Sequence, residues 1–384
     1  MNTPSIAHCG TSQQYHPNLM KNPMSALSRD KTIPRISVIV PCRNEQTGIE
    51  AFVRDVLAQQ QPAGGFEVII ADGMSDDGTR EILARLAQED SRLRIIDNPG
   101  RIVSMGLNTA IRLAQGTVIL RMDAHTRYAP DYICQCLTVL QQTAADNVGG
   151  PWVAHGTGFI GEAIAATFSS PFTVGGARGH DPQYEGIVDT VYLGCWPRAV
   201  FERIGFFDEE LVRNQDDEFN LRLTRAGGKI WQSPSIKSWY EPRNSLRALY
   251  RQYAQYGYWK VRVIQKHRIP ASIRHLIPGG FVLALLILPL LALWWPVTLW
   301  CWLGLVTLYS ASAVAAAAFT ATRHGWSLFP LLPIVAACYH TAYGYGFLRG
   351  FLDCVILRRH PGNAYKTLTR DTHRQLPLQI SGEH

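Results

Sequence analysis

Between Leu276 and Thr322 the chain has no Asp, Glu, Lys or Arg, and between Gly325 and Leu348 it again has none. A run of about 20 uncharged residues is enough to cross a bilayer as a helix, the structure that satisfies every backbone hydrogen bond internally. The first run is long enough for two spans, with Trp294-Trp295-Pro296 as the turn, because tryptophan favours the membrane–water boundary. The second run would add a third. Two to three spans are therefore expected over residues 276–357, against the alternative of a buried helix pair in a soluble protein. Three spans would put the tail opposite the preceding domain. Arg349, Arg358, Arg359, Lys366, Arg370 and Arg374 instead favour the cytoplasmic side. One segment is then expected to be re-entrant or to lie in the interface.

The net charge of +7 is concentrated just ahead of these runs. After Glu241 the next acidic residue is Asp353, and eight cations, from Arg243 to Arg274, precede the first run. Leu246, Leu249, Tyr253, Tyr256 and Val263 recur among them. That spacing predicts an amphipathic basic helix over residues 245–275, lying on membrane lipid. Packing on its own domain is the other reading. Nucleic acid is the rival partner for such charge, but no groove-reading motif accompanies it, so none is expected. The eight cysteines form no C-x-x-C pair, which argues against a disulfide framework or a zinc site and for reduced thiols in a cytoplasmic domain. Residues 1–34 are polar, lack the apolar core of a signal peptide and are expected to be a mobile leader. Residues 358–384 form a basic tail.

Between these ends, over residues 35–244, apolar strands alternate with helical spacing. Ile36–Val40, Phe66–Ala71, Leu93–Ile96 and Val118–Met122 read as strands. Thr47–Gln60, Thr79–Glu89 and Val103–Gln115 read as the helices between them. This order predicts right-handed βαβ units and a mostly parallel sheet, an α/β fold. A helix follows Pro130, with further strands at Val148–Val153 and Val188–Gly194. Helices are expected at Pro197–Ile204 and Glu218–Ala226, and 156–186, rich in glycine, is expected to be partly irregular.

Polar motifs stand at the strand ends, where open α/β sheets bind ligands. Pro41-Cys-Arg-Asn-Glu45 follows the first strand and Asp72-Gly-Met-Ser-Asp-Asp-Gly-Thr79 the second. A carboxylate there can accept from a nucleobase or ribose. Arg101, after the third strand, can pair with a phosphate. Asp123-Ala-His125 follows the fourth; a carboxylate oxygen and an imidazole nitrogen suit Mg2+ or Mn2+ held against a phosphate. The alternative is a capping Asp and a surface His. Much later, Asp216, Asp217 and Glu218 crowd three carboxylates together, which raises at least one pKa and suits a general base. Capping of the helix beginning near Glu218 is the competing account.

P-C-R-N-E, D-G-M-S-D-D-G-T, D-A-H and Q-D-D-E, in this order, resemble the inverting glycosyltransferases of family 2, which have the GT-A nucleotide-sugar-binding fold. That family shows P-x-x-N-E, D-D-x-S-x-D-x-T, D-x-D and E-D. The resemblance covers about residues 35–260. R-M-D-A-H and R-N-Q-D-D-E-F-N-L-R are similar to the glucosyltransferases that extend lipid-linked units in succinoglycan-type exopolysaccharide synthesis.

The resemblance implies roles by position. Pro41, Arg43 and Glu45 would line the nucleotide pocket, Asp72 would contact the uracil or ribose, and Asp123 would bind the diphosphate metal. Asp216 would deprotonate the acceptor. It further implies a UDP-sugar donor, a polyprenyl-diphosphate-linked glycan acceptor, membrane lipid and other polysaccharide-assembly proteins as partners, and a multi-pass place in the cytoplasmic membrane. Three positions depart from the pattern: Gly73, His125 and Gln215 replace an Asp, an Asp and a Glu. Near its membrane segments the chain has Gln252 and Trp259 but not the R-W dipeptide of processive synthases, which favours single-sugar addition. Tyr253, Tyr256 and Trp259 are expected to anchor at the lipid interface, with stacking on an acceptor sugar as the alternative. A processive polysaccharide synthase and a non-catalytic nucleotide-sugar-binding regulator are the competing functions.

Overall fold

Ile36–Cys42 (β1) is rich in β-branched residues and buried along almost its whole length, the signature of a strand covered on both faces. The computed structural model describes residues 35–366; the leader and the last part of the basic tail lie outside the described residues. β1 is followed by α1 (Ile49–Leu57), β2 (Phe66–Asp72), α2 (Thr79–Glu89), β3 (Leu93–Asp97), α3 (Val103–Leu113) and β4 (Val118–Arg121). β1 pairs in parallel with β2 on one side and β4 on the other, and β2 pairs with β3. The strand order therefore reverses beside β1, and a crevice opens there beyond the carboxyl ends. β1 continues past its expected stop at Pro41. β4 ends opposite Ile39, so Pro41 has a strand neighbour only on the β2 side, where a missing N–H is tolerated.

The second half adds β5 (Thr126–Tyr128), α4 (Tyr132–Thr143), β6 (Asn147–Gly150), β7 (Val153–Ala154), α5 (Gly158–Phe168), α6 (Pro171–Val174), β8 (Gly186–Ile187), β9 (Tyr192–Pro197), α7 (Ala199–Ile204), α8 (Gln215–Arg225), β10 (Ile230–Gln232) and β11 (Ser238–Tyr240). The main sheet has eight strands in the order β3-β2-β1-β4-β9-β6-β10-β8, and β5-β11-β7 form a small second sheet. β9 runs antiparallel between β4 and β6. It begins four residues later than expected at this site, because Cys195, Trp196 and Pro197 make the pairing with β4. The glycine-rich stretch, expected to be partly irregular, contains a regular helix, α5. α8 starts at Gln215, so Asp216 and Asp217 belong to its first turn rather than preceding it.

The chain then forms α9 (Leu246–His267), α10 (Ile277–Leu291), α11 (Val297–His324), α12 (Leu332–Phe351), a π-helical turn and a last short helix, α13 (Asn363–Lys366). Ile273–Leu291 and Val297–His324 are long and apolar enough to cross a membrane. At about 1.5 Å per residue both match a hydrocarbon core of about 30 Å, the second with length to spare. They form a hairpin whose turn carries the expected Trp294 and Trp295, 70% and 59% exposed.

The third uncharged run becomes α12, which packs along α9 and also touches α5, α10 and α11. Glycines line that seam. A Cβ on Gly346 would strike the Ala254 carbonyl, one on Gly257 the Tyr343 carbonyl, and one on Gly350 the Tyr258 carbonyl at 2.6 Å. Bare backbones allow this close approach. α9 thus buries Leu249, Tyr258 and Val261 within the protein, while Arg247, Arg251, Lys266 and Arg268 stay exposed.

Gly346→Leu is expected to destabilise the protein by about 2–3 kcal/mol, the scale of overpacking, read as a lower melting midpoint in detergent. At Gly304 a Cβ meets nothing within 4 Å, so Gly304→Leu should leave the midpoint unchanged. Equal melting of the two variants would mean that the seam does not hold α12 on α9.

Candidate active site

The first two motifs are fastened to each other. Gly73 N–H donates to the Cys42 carbonyl at 2.7 Å. Asn44 N–H donates to Ser75 Oγ at 2.9 Å, and Asn44 Nδ2 to Asp76 Oδ1 at 2.8 Å. Asp76 N–H returns a bond to Asn44 Oδ1 at 3.1 Å. Glu45 N–H donates to Thr79 Oγ1 and Gln46 N–H to Asp77 Oδ2. Asn44 is in the left-handed region, φ 53°, which Asn tolerates better than most residues. Much of both motifs therefore shapes loops.

Asp72 is part of that work. Its carboxylate is 1% exposed and accepts from Ser75 Oγ at 2.5 Å, Ser75 N–H at 3.1 Å and Arg80 Nη1 at 2.8 Å. The structure places Asp72 behind the cleft wall, while Gly73 lines it. Pro41, Arg43, Glu45, Arg101, Asp123, His125 and Asp216, by contrast, all line one cleft.

At the end of β4, Arg121 grips Asp123 with two bonds: Nε to Oδ1 at 2.9 Å and Nη2 to Oδ2 at 3.0 Å. The two side chains are buried. Asp123 N–H donates to Tyr128 Oη at 2.7 Å. His125 Nδ1 lies 4.0 Å from Glu45 Oε1. Each Asp123 oxygen has a further lone pair after serving Arg121. Among the described residues no three His, Cys, Asp or Glu side chains converge to hold a metal ion. Asp123 and His125 therefore fit a hard cation only as a partial set, completed by ligand oxygens and water, as Mg2+ is commonly held beside phosphates.

α8 is preceded by its N-cap Asn214, left-handed at φ 61°, whose Nδ2 donates to the Tyr256 carbonyl at 2.8 Å. The three crowded carboxylates then have three different fates. Glu218 is fully buried and bonded to Arg222, Lys266 and His267 at 2.9–3.0 Å. Asp217 Oδ2 meets Lys260 Nζ at 2.5 Å, and Lys260 is 4% exposed. Asp216 accepts only from Asp217 N–H, at 3.0 Å, and has no paired cation among the described residues. Burial raises the Asp216 pKa, and the Asp217 charge raises it further, against the pull of Arg121 and Lys260. Burial acts on Asp217 in the same sense, but Lys260, His275 and Arg274 together outweigh it and lower the value. Asp216 is thus the carboxylate poised to take a proton.

Lys260 and Arg121 were missed as site residues. Lys260 reads as one more cation of the basic segment, and Arg121 as a break in an apolar strand, though that break was itself the signal. Tyr253, Tyr256 and Trp259 all line the cleft. Trp259, 3% exposed, donates its indole N–H to the Tyr365 carbonyl at 2.9 Å. All seven described cysteines are free; Cys9 lies outside the described residues.

The cleft holds ≈ 1530 Å³, above the roughly 300–1,000 Å³ of a site for one small ligand. Its far end is walled by Ile277 and Phe281 of α10, Tyr309 of α11 and His340 of α12. The cleft therefore runs from the sheet crevice to the membrane hairpin.

Residues 37–184 match the family model "Glycosyl transferase family 2". Succinoglycan biosynthesis protein ExoA of Rhizobium meliloti (strain 1021) is 31% identical over 318 residues, covering 82% of this chain and 94% of that protein. A Methanococcus voltae dolichyl N-acetyl-alpha-D-glucosaminyl phosphate 3-beta-D-2,3-diacetamido-2,3-dideoxy-beta-D-glucuronosyltransferase is 26% identical, over 83% of this chain and 97% of its own length. The solved structure of mannosyltransferase PcManGT from Pyrobaculum calidifontis, in complex with GDP-Man and Mn2+, superposes with a TM-score of 0.54 at 21% identity, over 83% of this chain and 88% of that one. This likeness shows a shared GT-A-like fold.

A step that needs ionised Asp216 is lost as pH falls through its folded pKa, which lies above the ordinary 3.8. The acid limb of the pH–rate profile is therefore expected above that value. Lys260→Met removes a cation that favours both carboxylate anions, so the limb should move to still higher pH. An unmoved limb would mean that Asp216 does not set it.

Proposed function

Since the chain belongs to glycosyl transferase family 2, we propose that it transfers one sugar, glucose, from a UDP-sugar to a polyprenyl-diphosphate-linked glycan during exopolysaccharide synthesis, inverting the anomeric centre. One observation carries this reading: Asp216, with no paired cation among the described residues, faces a cleft that begins at the nucleotide-side loops and ends on membrane-length helices. The similar protein named for succinoglycan biosynthesis supports the polymer class. The relative named as acting on a dolichyl phosphate sugar supports a lipid-linked acceptor.

The chemistry is a single displacement. Asp216 takes the proton of the acceptor hydroxyl while that oxygen bonds to the anomeric carbon on the face opposite the leaving group. The bond from that carbon to the diphosphate oxygen breaks, and its electron pair leaves with UDP. Arg101 and Arg43 face the same cleft and offset the charge that develops there. Pro41 and Glu45 flank the nucleotide, and Asp72 acts by holding its loop. Asp123 and His125 would hold Mn2+ or Mg2+, which would supply further positive charge to the leaving group when bound. The Mn2+ complex of the structural neighbour agrees with this.

A hairpin of two spans returns the chain to the side it left. α12 can then pack on α9 and α5, as it does, and the basic residues Arg349, Arg358, Arg359 and Lys366 stay with the catalytic unit. This arrangement favours a catalytic domain on the cytoplasmic side of the inner membrane.

Asp216→Asn keeps the size of the side chain but cannot take the proton. Turnover with a lipid-linked acceptor is expected to fall about a hundredfold or more, the scale of general-base catalysis, with UDP-sugar affinity by calorimetry little changed. Asp217→Asn should cost less. Joint loss of donor binding and turnover in Asp216→Asn would instead assign a structural carboxylate.

The metal is tested separately. EDTA should weaken UDP-sugar binding to the wild-type protein, and Asp123→Ala should remove that sensitivity together with turnover. Equal binding with and without EDTA in the wild type would reject the role of Asp123 as a ligand.

A further inference from the structure

Where the cleft meets the hairpin, polar groups converge that the donor half of the reaction does not use. Arg274 and His275 occupy the turn at the head of the first membrane-length segment, Ile273–Leu291, the depth at which lipid phosphates lie. Both line the cleft, with Lys260 and Tyr343. His275 and Asp217 lie within electrostatic reach of each other and of both Lys260 and Arg274, and Tyr343 is within reach of Asp217 and Arg274.

Two of these groups are unmatched among the described residues. Tyr343 Oη and His275 Nδ1 are buried and meet no hydrogen-bond partner there. Arg274 is paired, through Nη2, with Asp189 Oδ2, but Asp189 is 42% exposed, an open partner that an anion can replace. A guanidinium, a hydroxyl and an imidazole that donates as its Nδ1–H tautomer, all lining one cleft, suit phosphate oxygens. The walls beyond them are apolar and aromatic: Phe172, Ile277, Pro278, Phe281 and Tyr309. A free phosphate has no use for such walls, whereas a phosphate on a hydrocarbon chain does.

We infer that Arg274, His275 and Tyr343 form the subsite for the phosphate of the prenyl-diphosphate-linked acceptor, with its chain running along α10 and α11. This rests on the lipid-linked acceptor reading and adds its binding residues. The phosphate then lies beside Lys260 and the Asp216–Asp217 turn, which orients the acceptor hydroxyl toward Asp216. Arg274 exchanges Asp189 for the phosphate as the acceptor enters.

The test measures equilibrium binding of farnesyl diphosphate to the full-length protein in detergent, with farnesol, inorganic pyrophosphate and a short-chain phosphatidylglycerol as the other probes. Farnesyl diphosphate should bind at least about tenfold more tightly than any of these, and Arg274→Ala and Tyr343→Phe should each weaken it about tenfold, the scale of a lost hydrogen bond to a charged group. UDP affinity, measured on the same samples, should not change and reports that the variants are folded. Asp189→Asn frees Arg274 and should strengthen farnesyl diphosphate binding, which a merely structural Arg274 would not do. Equal binding of pyrophosphate would assign a free-anion site, and equal binding of phosphatidylglycerol a bulk-lipid site; either overturns the inference, as does unchanged affinity in Arg274→Ala. Transfer from UDP-sugar to a lipid-linked acceptor is followed in parallel. If transfer occurs but the acceptor KM is the same in Arg274→Ala, the subsite falls and the glycosyltransferase reading stands. If no lipid-linked acceptor supports transfer, that reading falls first.

Discussion

The buried bond between Arg121 and Asp123 is the interaction on which the site is built. A guanidinium 6% exposed at the end of a central strand is costly unless a carboxylate meets it with good geometry. Here the match is bidentate, and it fixes the direction in which the chain leaves β4. Asp123 is thereby aimed into the crevice where the strand order reverses. The same guanidinium also acts on Asp216, more than 90 residues later, limiting how far burial and Asp217 can raise its pKa. One ion pair thus couples the end of the parallel sheet to the first turn of α8.

Much of this half of the molecule was legible. β1, β2, β3 and β4 are short apolar runs between turn residues, and a strand buried on both faces leaves that trace without help from distant residues. The motif positions followed, because topology alone puts the ends of parallel strands on one crevice. What the motifs do there was only partly readable. Asn44, Ser75, Asp76, Asp77 and Thr79 bond across two loops, and nothing in their spacing separates a polar residue that binds a ligand from one that binds a neighbouring loop. Asp72 shows the same ambiguity: the residue expected on the wall is turned away from it by Ser75 and Arg80. β9 was misplaced for a related reason, since its pairing with β4 rests on Cys195 and Trp196, long-range contacts that local alternation does not encode.

The membrane half was hard to read for a different reason. An absence of charge marks a helix that avoids water, but lipid and another helix are equally dry. α11 and α12 look alike on that measure. They differ in their glycines: Gly344, Gly346 and Gly350 of α12 form a groove that admits backbone, and a lipid-facing surface needs none. Gly257 supplies the matching gap on α9. Counting uncharged runs predicts up to three spans; the small-residue seam assigns the last run to protein contact and leaves two membrane-length helices.

The fates of the three crowded carboxylates bear on the stereochemistry of the proposed reaction. A double displacement needs a second carboxylate free to attack the anomeric carbon, and Asp217 and Glu218 are the nearest candidates in the chain. Asp217 is spent on Lys260, and burial is overcome by Lys260 together with His275 and Arg274. Glu218 is spent on Arg222, Lys266 and His267. Each ion pair lowers the basicity and fixes the direction of its carboxylate, which disqualifies both as nucleophiles and as competing bases. The same pairing makes Asp216 more effective, because the Asp217 anion held beside it by Lys260 is one of the two causes that raise the Asp216 pKa. A turn in which one carboxylate, without a paired cation among the described residues, is followed by two ion-paired ones can remove a proton and do little else, which is what a single inverting displacement asks of it.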